Sequence, residues 1–98
     1  MYVQNLQNIL QILRQHKPEL QRKYPVSRLG VFGSYARGEA SEKSDIDVMV
    51  VFSEPVGLAF VDLADELEKI LKMKVDLVSR GAIKPKYFTV IEPDLIYV

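Results

Sequence analysis

The sequence is most informative at GSYARGEASEKSDIDVMVVF, residues 33–52. A short apolar run, Arg28–Phe32, precedes the Gly-Ser pair and is typical of a strand that ends at a turn. The letters SYARG then predict one helical turn closed by Gly38, and a polar loop follows. Ile46–Phe52 is dominated by β-branched and other apolar residues and predicts the clearest strand of the chain. The stretch therefore predicts a strand, a tight turn with a short helix, a loop and a second strand.

The N-terminal segment predicts an amphipathic helix. Leu6, Ile9, Leu10 and Leu13 recur at the spacing of one helix face. Pro18 is expected to end this helix, because the residue before a proline disfavours helical geometry.

Downstream of the central stretch, the pattern alternates again between helix and strand. It predicts a helix from Phe60 to Lys72, a strand over Val75–Ser79, a short helix over Lys84–Ile91 and a final strand over Leu95–Val98. The order α-β-α-β-α-β with a short tail predicts an α/β (α+β) fold, in which helices pack on a small mixed β-sheet. A chain of 98 residues is expected to form one domain, residues 1–98.

The composition excludes several kinds of site. There is no cysteine and only one histidine, His16, so disulfides, thiolate catalysis and multi-histidine metal sites are excluded. Any metal must therefore bind carboxylates, which favours hard ions such as Mg²⁺ or Mn²⁺. No signal peptide and no apolar run of about 20 residues is visible, so we expect a soluble cytoplasmic protein without membrane partners.

The charges balance overall but are segregated along the chain. The formal net charge is zero, which argues against direct nucleic-acid binding. Glu39 to Glu68 contains nine acidic residues and one base, whereas Lys69 to Lys86 contains six bases and only Asp76 as an acid. Such segregation suits an oppositely charged partner, although solvated helix faces also produce it.

Three aspartates are candidate metal ligands and catalytic residues. Asp45 and Asp47 open the most hydrophobic strand, and residues two apart in a strand share a face. Asp76 interrupts an apolar strand and joins them if the two strands are neighbours. Three convergent carboxylates are what two divalent ions need for phosphoryl or nucleotidyl transfer. Taken singly, each aspartate has an alternative interpretation as an exposed acid at a strand end.

Gly33, Ser34 and Arg37 are candidate phosphate-binding residues. A glycine between strand and helix lets the backbone approach a ligand, and the free N–H groups of the helix start point at an anion. Ser34 adds a hydroxyl donor and Arg37 a positive charge. Alone, the Gly-Ser pair is more typical of an ordinary helix start, and Arg37 of a surface ion pair.

The combined motif resembles the signature of the minimal nucleotidyltransferases, a branch of the DNA polymerase β-like superfamily. The resemblance rests on Gly33, Ser34, Ala36, Arg37, Gly38, Ser44, Asp45, Ile46 and Asp47. It implies a mixed-sheet nucleotidyltransferase fold and attack on the α-phosphate of a nucleoside triphosphate, with pyrophosphate leaving.

The same resemblance implies residue roles. Gly33 and Ser34 would hold the triphosphate, and Arg37 would support the phosphate loop. Asp45 and Asp47 would bind two magnesium ions, and Asp76 would help to bind one ion and activate the attacking hydroxyl.

The resemblance also implies a partner. Small members of the family are often paired with a HEPN-domain toxin, act as its antitoxin and can transfer AMP from ATP to a toxin tyrosine. The sequence itself shows no acceptor-binding domain, which is consistent with a protein acceptor. Three alternatives remain open: neutralisation by binding alone, transfer to a small-molecule acceptor, and a structural domain with coincidental acids.

Overall fold

The computed structural model describes residues 5–98, and residues 1–4 of the expected domain lie outside them. Its elements follow one another in the order α1 (Leu6–Lys23), β1 (Val26–Phe32), α2 (Gly33–Arg37), β2 (Ile46–Phe52), α3 (Ala59–Leu71), β3 (Val75–Ser79), α4 (Pro85–Ile91) and β4 (Ile96–Tyr97). Short 3₁₀ turns, Arg80–Ala82 and Glu92–Asp94, lie on either side of α4.

The four strands form one mixed sheet in the order β3-β2-β1-β4. β1 pairs antiparallel with both β2 and β4, whereas β2 and β3 are parallel and are joined through α3. A parallel pair requires a crossover of this kind, because a tight turn cannot return the chain to the same end. The predicted mixed sheet with packed helices is confirmed.

The hydrophobic core lies between one face of the sheet and the helices α1 and α3. Alternate residues of β2, namely Ile46, Val48 and Val50, are fully buried in it, as the two-residue period of a strand requires. Leu63 and Leu67 of α3 are also fully buried against this face. Within residues 5–98, none of the helices combines the length and the apolar character that a bilayer crossing requires.

Helix α1 does not end at Pro18, so that prediction was wrong. The helix continues to Lys23 with Pro18 inside it. Leu20, the second residue after the proline, is 1% exposed, and the Tyr24 hydroxyl donates to Glu66 of α3 at 3.0 Å. Burial of a leucine contributes about 1.5–3 kcal/mol, which offsets much of the helix-breaking cost of about 3 kcal/mol. Tertiary packing therefore extends the helix past its local stop signal.

Candidate active site

The phosphate-binding candidate Gly33 begins α2 directly after β1. Its φ of +76° lies in the left-handed region that favours glycine. A Cβ built on Gly33 would overlap the Asp47 carboxylate far more closely than any real contact allows. The turn and the carboxylate therefore touch, and only a residue without a side chain fits between them.

Sheet register brings Asp47 and Asp76 together. In β2, Asp47 pairs with Phe32 of β1, which runs antiparallel to β2, and with Asp76 of β3, which runs parallel to it. Register partners share a face of the sheet, so the two carboxylates lie on the face opposite the core. Asp45 lies one residue before β2 and is exposed.

Burial and the neighbouring carboxylates determine the electrostatics of Asp47. Burial raises the pKa of the half-buried Asp47, and repulsion from Asp76 and then Asp45 raises it further. Arg37 acts in the opposite direction, and the pKa stays above the ordinary aspartate value of 3.8. Like charges held together in this way are stabilised by a cation between them.

The carboxylates suit a hard divalent ion by their chemistry, because their donors are all oxygen. In residues 5–98, however, no three acidic, histidine or cysteine side chains are grouped closely enough to hold one ion. The structure thus brings Asp47 and Asp76 together as a pair, and Asp45 stays outside the pair while acting on Asp47 electrostatically.

The start of α2 leaves its backbone donors without a side-chain cap among the described residues. Phe32 occupies the cap position in an extended conformation, and Ser34, the second helical residue, is half-buried. Uncapped N–H groups at a helix start are suited to an anion. Gly38 closes the turn, as predicted, and its backbone is in the left-handed conformation.

Arg37 is held by two carboxylates. Its Nε donates to Oε1 of Glu39 at 2.9 Å, and its Nη1 donates to Oδ2 of Asp94 at 2.9 Å. The interpretation of Arg37 as a surface ion-pair partner is therefore correct for the conformation in the structure. Sequence reasoning missed Asp94, because it lies 57 residues away on the turn before β4 and has no motif of its own.

Two tyrosines, Tyr35 and Tyr97, are used in packing. Tyr35 is 4% exposed, and burial and then the neighbouring Asp45 raise its hydroxyl pKa. Tyr97 is half-buried, and the guanidinium of Arg28 stacks 3.6 Å from its ring centre. Neither ring is a free contact surface in this fold.

The site combines a glycine turn after the first strand with a pair of carboxylates on two parallel strands, and the turn touches one of the pair, Asp47. This arrangement defines a nucleotidyltransferase-type domain. Comparison with known protein families agrees with this assignment. The family described as nucleotidyltransferase domain matches residues 13–97, and the chain belongs to that family.

Similar proteins extend over the whole chain. A protein of Methanocaldococcus jannaschii assigned as a protein adenylyltransferase is 51% identical over 98 residues, which are 98% of this chain and 100% of that protein. The protein adenylyltransferase MntA of Thermococcus cleftensis is 43% identical over 94 residues, 95% of each chain. The chain is thus a nucleotidyltransferase of the minimal kind.

Solved structures give the same fold. A structure assigned as a minimal nucleotidyltransferase has a TM-score of 0.81 and 33% identity, with 98% of each chain covered. A toxin–antitoxin crystal structure with AMP-PNP has a TM-score of 0.58 and 29% identity, covering 83% of this chain and 61% of that one. An MNT antitoxin in complex with a tri-AMPylated Shewanella oneidensis HEPN toxin shares the fold at 23% identity, with a TM-score of 0.59 over 95% of this chain and 67% of that one.

Proposed function

We propose that this chain transfers AMP from ATP to a tyrosine hydroxyl of a HEPN-domain partner and thereby acts as its antitoxin. The observation that carries the proposal is the sheet register, which sets the Gly33 turn, Asp47 and Asp76 side by side. The relatives named as protein adenylyltransferases support a protein acceptor.

The phosphate side of the proposed site is the start of α2. The Gly33 turn and its uncapped N–H groups would receive the triphosphate, and the Ser34 hydroxyl would donate to it. Arg37 would support this loop from the end of the same helix, with its guanidinium oriented by Glu39 and Asp94. The toxin–antitoxin structure that contains AMP-PNP supports a nucleotide ligand for this fold.

The carboxylate side would hold metal. Asp45, Asp47 and Asp76 are proposed to bind two Mg²⁺ ions, with Mn²⁺ as a substitute, because oxygen donors suit hard ions. When bound, the ions supply neutralisation of phosphate charge and alignment of the reacting oxygens. The raised pKa of Asp47 supports a site that is completed by positive charge.

The proposed reaction is an in-line displacement at the α-phosphorus. The acceptor oxygen forms a new bond to the α-phosphorus, and the bond from that phosphorus to the bridging oxygen breaks. Pyrophosphate leaves with the bonding electrons, and the acceptor proton passes to Asp76, which is exposed on its strand and accessible to an incoming hydroxyl. The product is a phosphodiester between AMP and the acceptor.

The proposal is tested by incubating the protein with labelled ATP, Mg²⁺ and the HEPN-domain protein of the same genome. We expect label on that protein, and a loss of at least about 100-fold in transfer with Asp45→Asn or Asp47→Asn, because each variant removes a carboxylate that would hold the divalent ions, whose positive charge would stabilise the transition state. Glu42→Gln is the matched control, since Glu42 is an exposed carboxylate in the loop before β2.

The alternatives are distinguished by a toxin-neutralisation assay with the same variants and by the identity of the molecule that receives the label. If both aspartate variants neutralise the toxin as well as the native chain does, the role is stoichiometric binding and catalysis is refuted. If label reaches small alcohols or amines but never the HEPN-domain protein, the acceptor is a small molecule.

A further inference from the structure

The edge of the sheet beside the active site is formed by β3. β3 pairs only with β2, so its other side has no strand neighbour among the described residues. Asp76 lies on this edge strand. Any segment that pairs with β3 would therefore pass directly beside a proposed catalytic carboxylate.

The backbone of β3 is arranged to accept such a segment. Ile46 donates its N–H to the Lys74 carbonyl at 3.0 Å, so residues 74, 76 and 78 point towards β2. By alternation, the N–H and carbonyl of Leu77 and the N–H of Ser79 point outwards. Val75, which also points outwards, donates its N–H to the Glu68 carboxylate at 3.0 Å. Glu68 thus covers the first outward donor and leaves the later ones for a partner.

An apolar groove runs along the same edge. It has a volume of about 430 Å³ and is lined by Phe60, Leu77, Val78, Ser79, Ala82 and Ile83. It lies at the C-terminal end of β3, whereas Asp76 lies near the N-terminal end. A rise of about 3.3 Å per residue places the groove two to three residues, or roughly 7–10 Å, from Asp76.

Charge distinguishes between possible occupants. If a second copy paired antiparallel about Leu77, Lys74 of each copy would face Arg80 of the other, and like charges directly opposite are destabilising. Basic residues flank both ends of β3, with Lys72 and Lys74 before it and Arg80 and Lys84 after it. These flanks favour a segment that carries acidic residues at its ends.

We propose that the open edge of β3 binds the acceptor segment of the partner protein as an added antiparallel strand, an inference that rests on the function proposed above. The acceptor hydroxyl residue lies opposite Asp76. This position lacks backbone hydrogen bonds to the added strand, so opposed side chains approach to roughly 4.5–5.5 Å between Cβ atoms. An apolar residue three positions N-terminal to the acceptor lies opposite Ser79, on the sheet face of Leu77, and fills the groove. Carboxylates flank the segment.

The test measures AMP transfer to the HEPN-domain protein as a function of its concentration. Ser79→Pro removes an outward N–H, and the φ of −90° at Ser79 is near that of proline. We expect the KM for the acceptor protein to rise about tenfold or more while the KM for ATP stays unchanged. Ser79→Ala, which keeps the N–H, is the matched control. Ile83→Glu places a negative charge in the groove and is expected to raise the KM for the acceptor protein in the same way. This variant provides the test if Ser79→Pro does not fold.

Amide hydrogen exchange gives an independent readout. Binding of the HEPN-domain protein should slow amide exchange at Leu77 of the native chain. This measurement tests the docking inference even if no AMP transfer is detected. Equal acceptor KM values for the native chain, Ser79→Pro and Ile83→Glu would overturn the inference. A second result would also overturn the inference. If exchange at Leu77 slows as the concentration of this chain alone rises, and sedimentation shows a dimer, the edge binds a second copy and not the partner protein.

Discussion

At the residue scale, the contact between Gly33 and Asp47 links the two halves of the proposed site. Gly33 has φ +76° and the Asp47 carboxylate occupies the space where a Cβ would lie. Gly38 has almost the same φ, +74°, but nothing within 4 Å of its Cβ position. The chain therefore contains an internal control that separates backbone strain from steric contact.

Replacement of the two glycines should have different costs. Gly38→Ala is expected to lower the free energy of unfolding by about 1–2 kcal/mol through the left-handed backbone alone. Gly33→Ala adds the overlap with Asp47 and is expected to cost about 3 kcal/mol or more, with loss of ATP binding. Urea unfolding and titration with a fluorescent ATP analogue measure the two effects. Equal losses of stability in the two variants would contradict the contact with Asp47.

Asp47 should make the metal-free protein less stable as pH rises. Its pKa is raised in the folded state, mainly by burial and by Asp76. The folded chain therefore holds this proton more tightly than the unfolded chain, and stability falls as pH increases from 3.8 through the raised pKa. Without divalent ions at pH 7, Asp47→Asn is expected to stabilise the fold by up to about 1 kcal/mol, and Asp76→Asn to be neutral or stabilising.

Thermal melts in a chelator across the pH range measure this effect, with Glu42→Gln as the control. A large loss of stability in Asp76→Asn would mean that Asp76 has a structural hydrogen-bonding role, and the expected relief of carboxylate repulsion would then be wrong.

The residues around Arg37 show what the sequence could not indicate. Gly33, Asp45 and Asp47 are close in the chain, so their joint spacing was visible as a motif. The partnership of Arg37 with Asp94 depends on the turn before β4 returning to α2. No local pattern encodes a contact between residues that far apart.

At the element scale, strands were predictable where composition and flanking turns agreed. β2 and β3 have the predicted bounds, because β-branched runs are closed by polar or glycine-containing turns. β1 begins two residues earlier than predicted, at Val26, since pairing with Phe52 of β2 extends it. Helix α1 continues past Pro18 because tertiary packing, including burial of Leu20, offsets the local preference against helix.

Helix α1 should gain stability when its proline is removed. Pro18→Ala restores the N–H that can donate to the carbonyl of Arg14 and removes the ring clash in the helix interior. We expect the free energy of unfolding to rise by about 1–3 kcal/mol in urea melts. Gln15→Ala, at an exposed position of the same helix, is the control and should change little. A destabilised Pro18→Ala variant would show that the ring itself contributes packing.

At the scale of the whole molecule, the mixed sheet separates the proposed catalytic residues from the proposed recognition surface. The glycine turn and the carboxylate pair lie at one end of β2 and β3, and the apolar groove lies at the other end of β3. The acidic segment Glu39–Glu68 contains Asp45 and Asp47, which are proposed to bind metal, whereas the basic segment Lys69–Lys86 contains β3 and both of its flanks. In the proposed function, one region would therefore hold the partner protein while the other acts on its hydroxyl.

The most direct test of nucleotidyl transfer follows the position of the label in ATP. The protein is incubated with Mg²⁺, the HEPN-domain protein and ATP labelled at either the α- or the γ-phosphate. We predict that only the α-label becomes attached to the HEPN-domain protein, while the γ-label is released as pyrophosphate. Attachment of the γ-label, or no attachment of the α-label to an acceptor that the chain binds, would contradict nucleotidyl transfer.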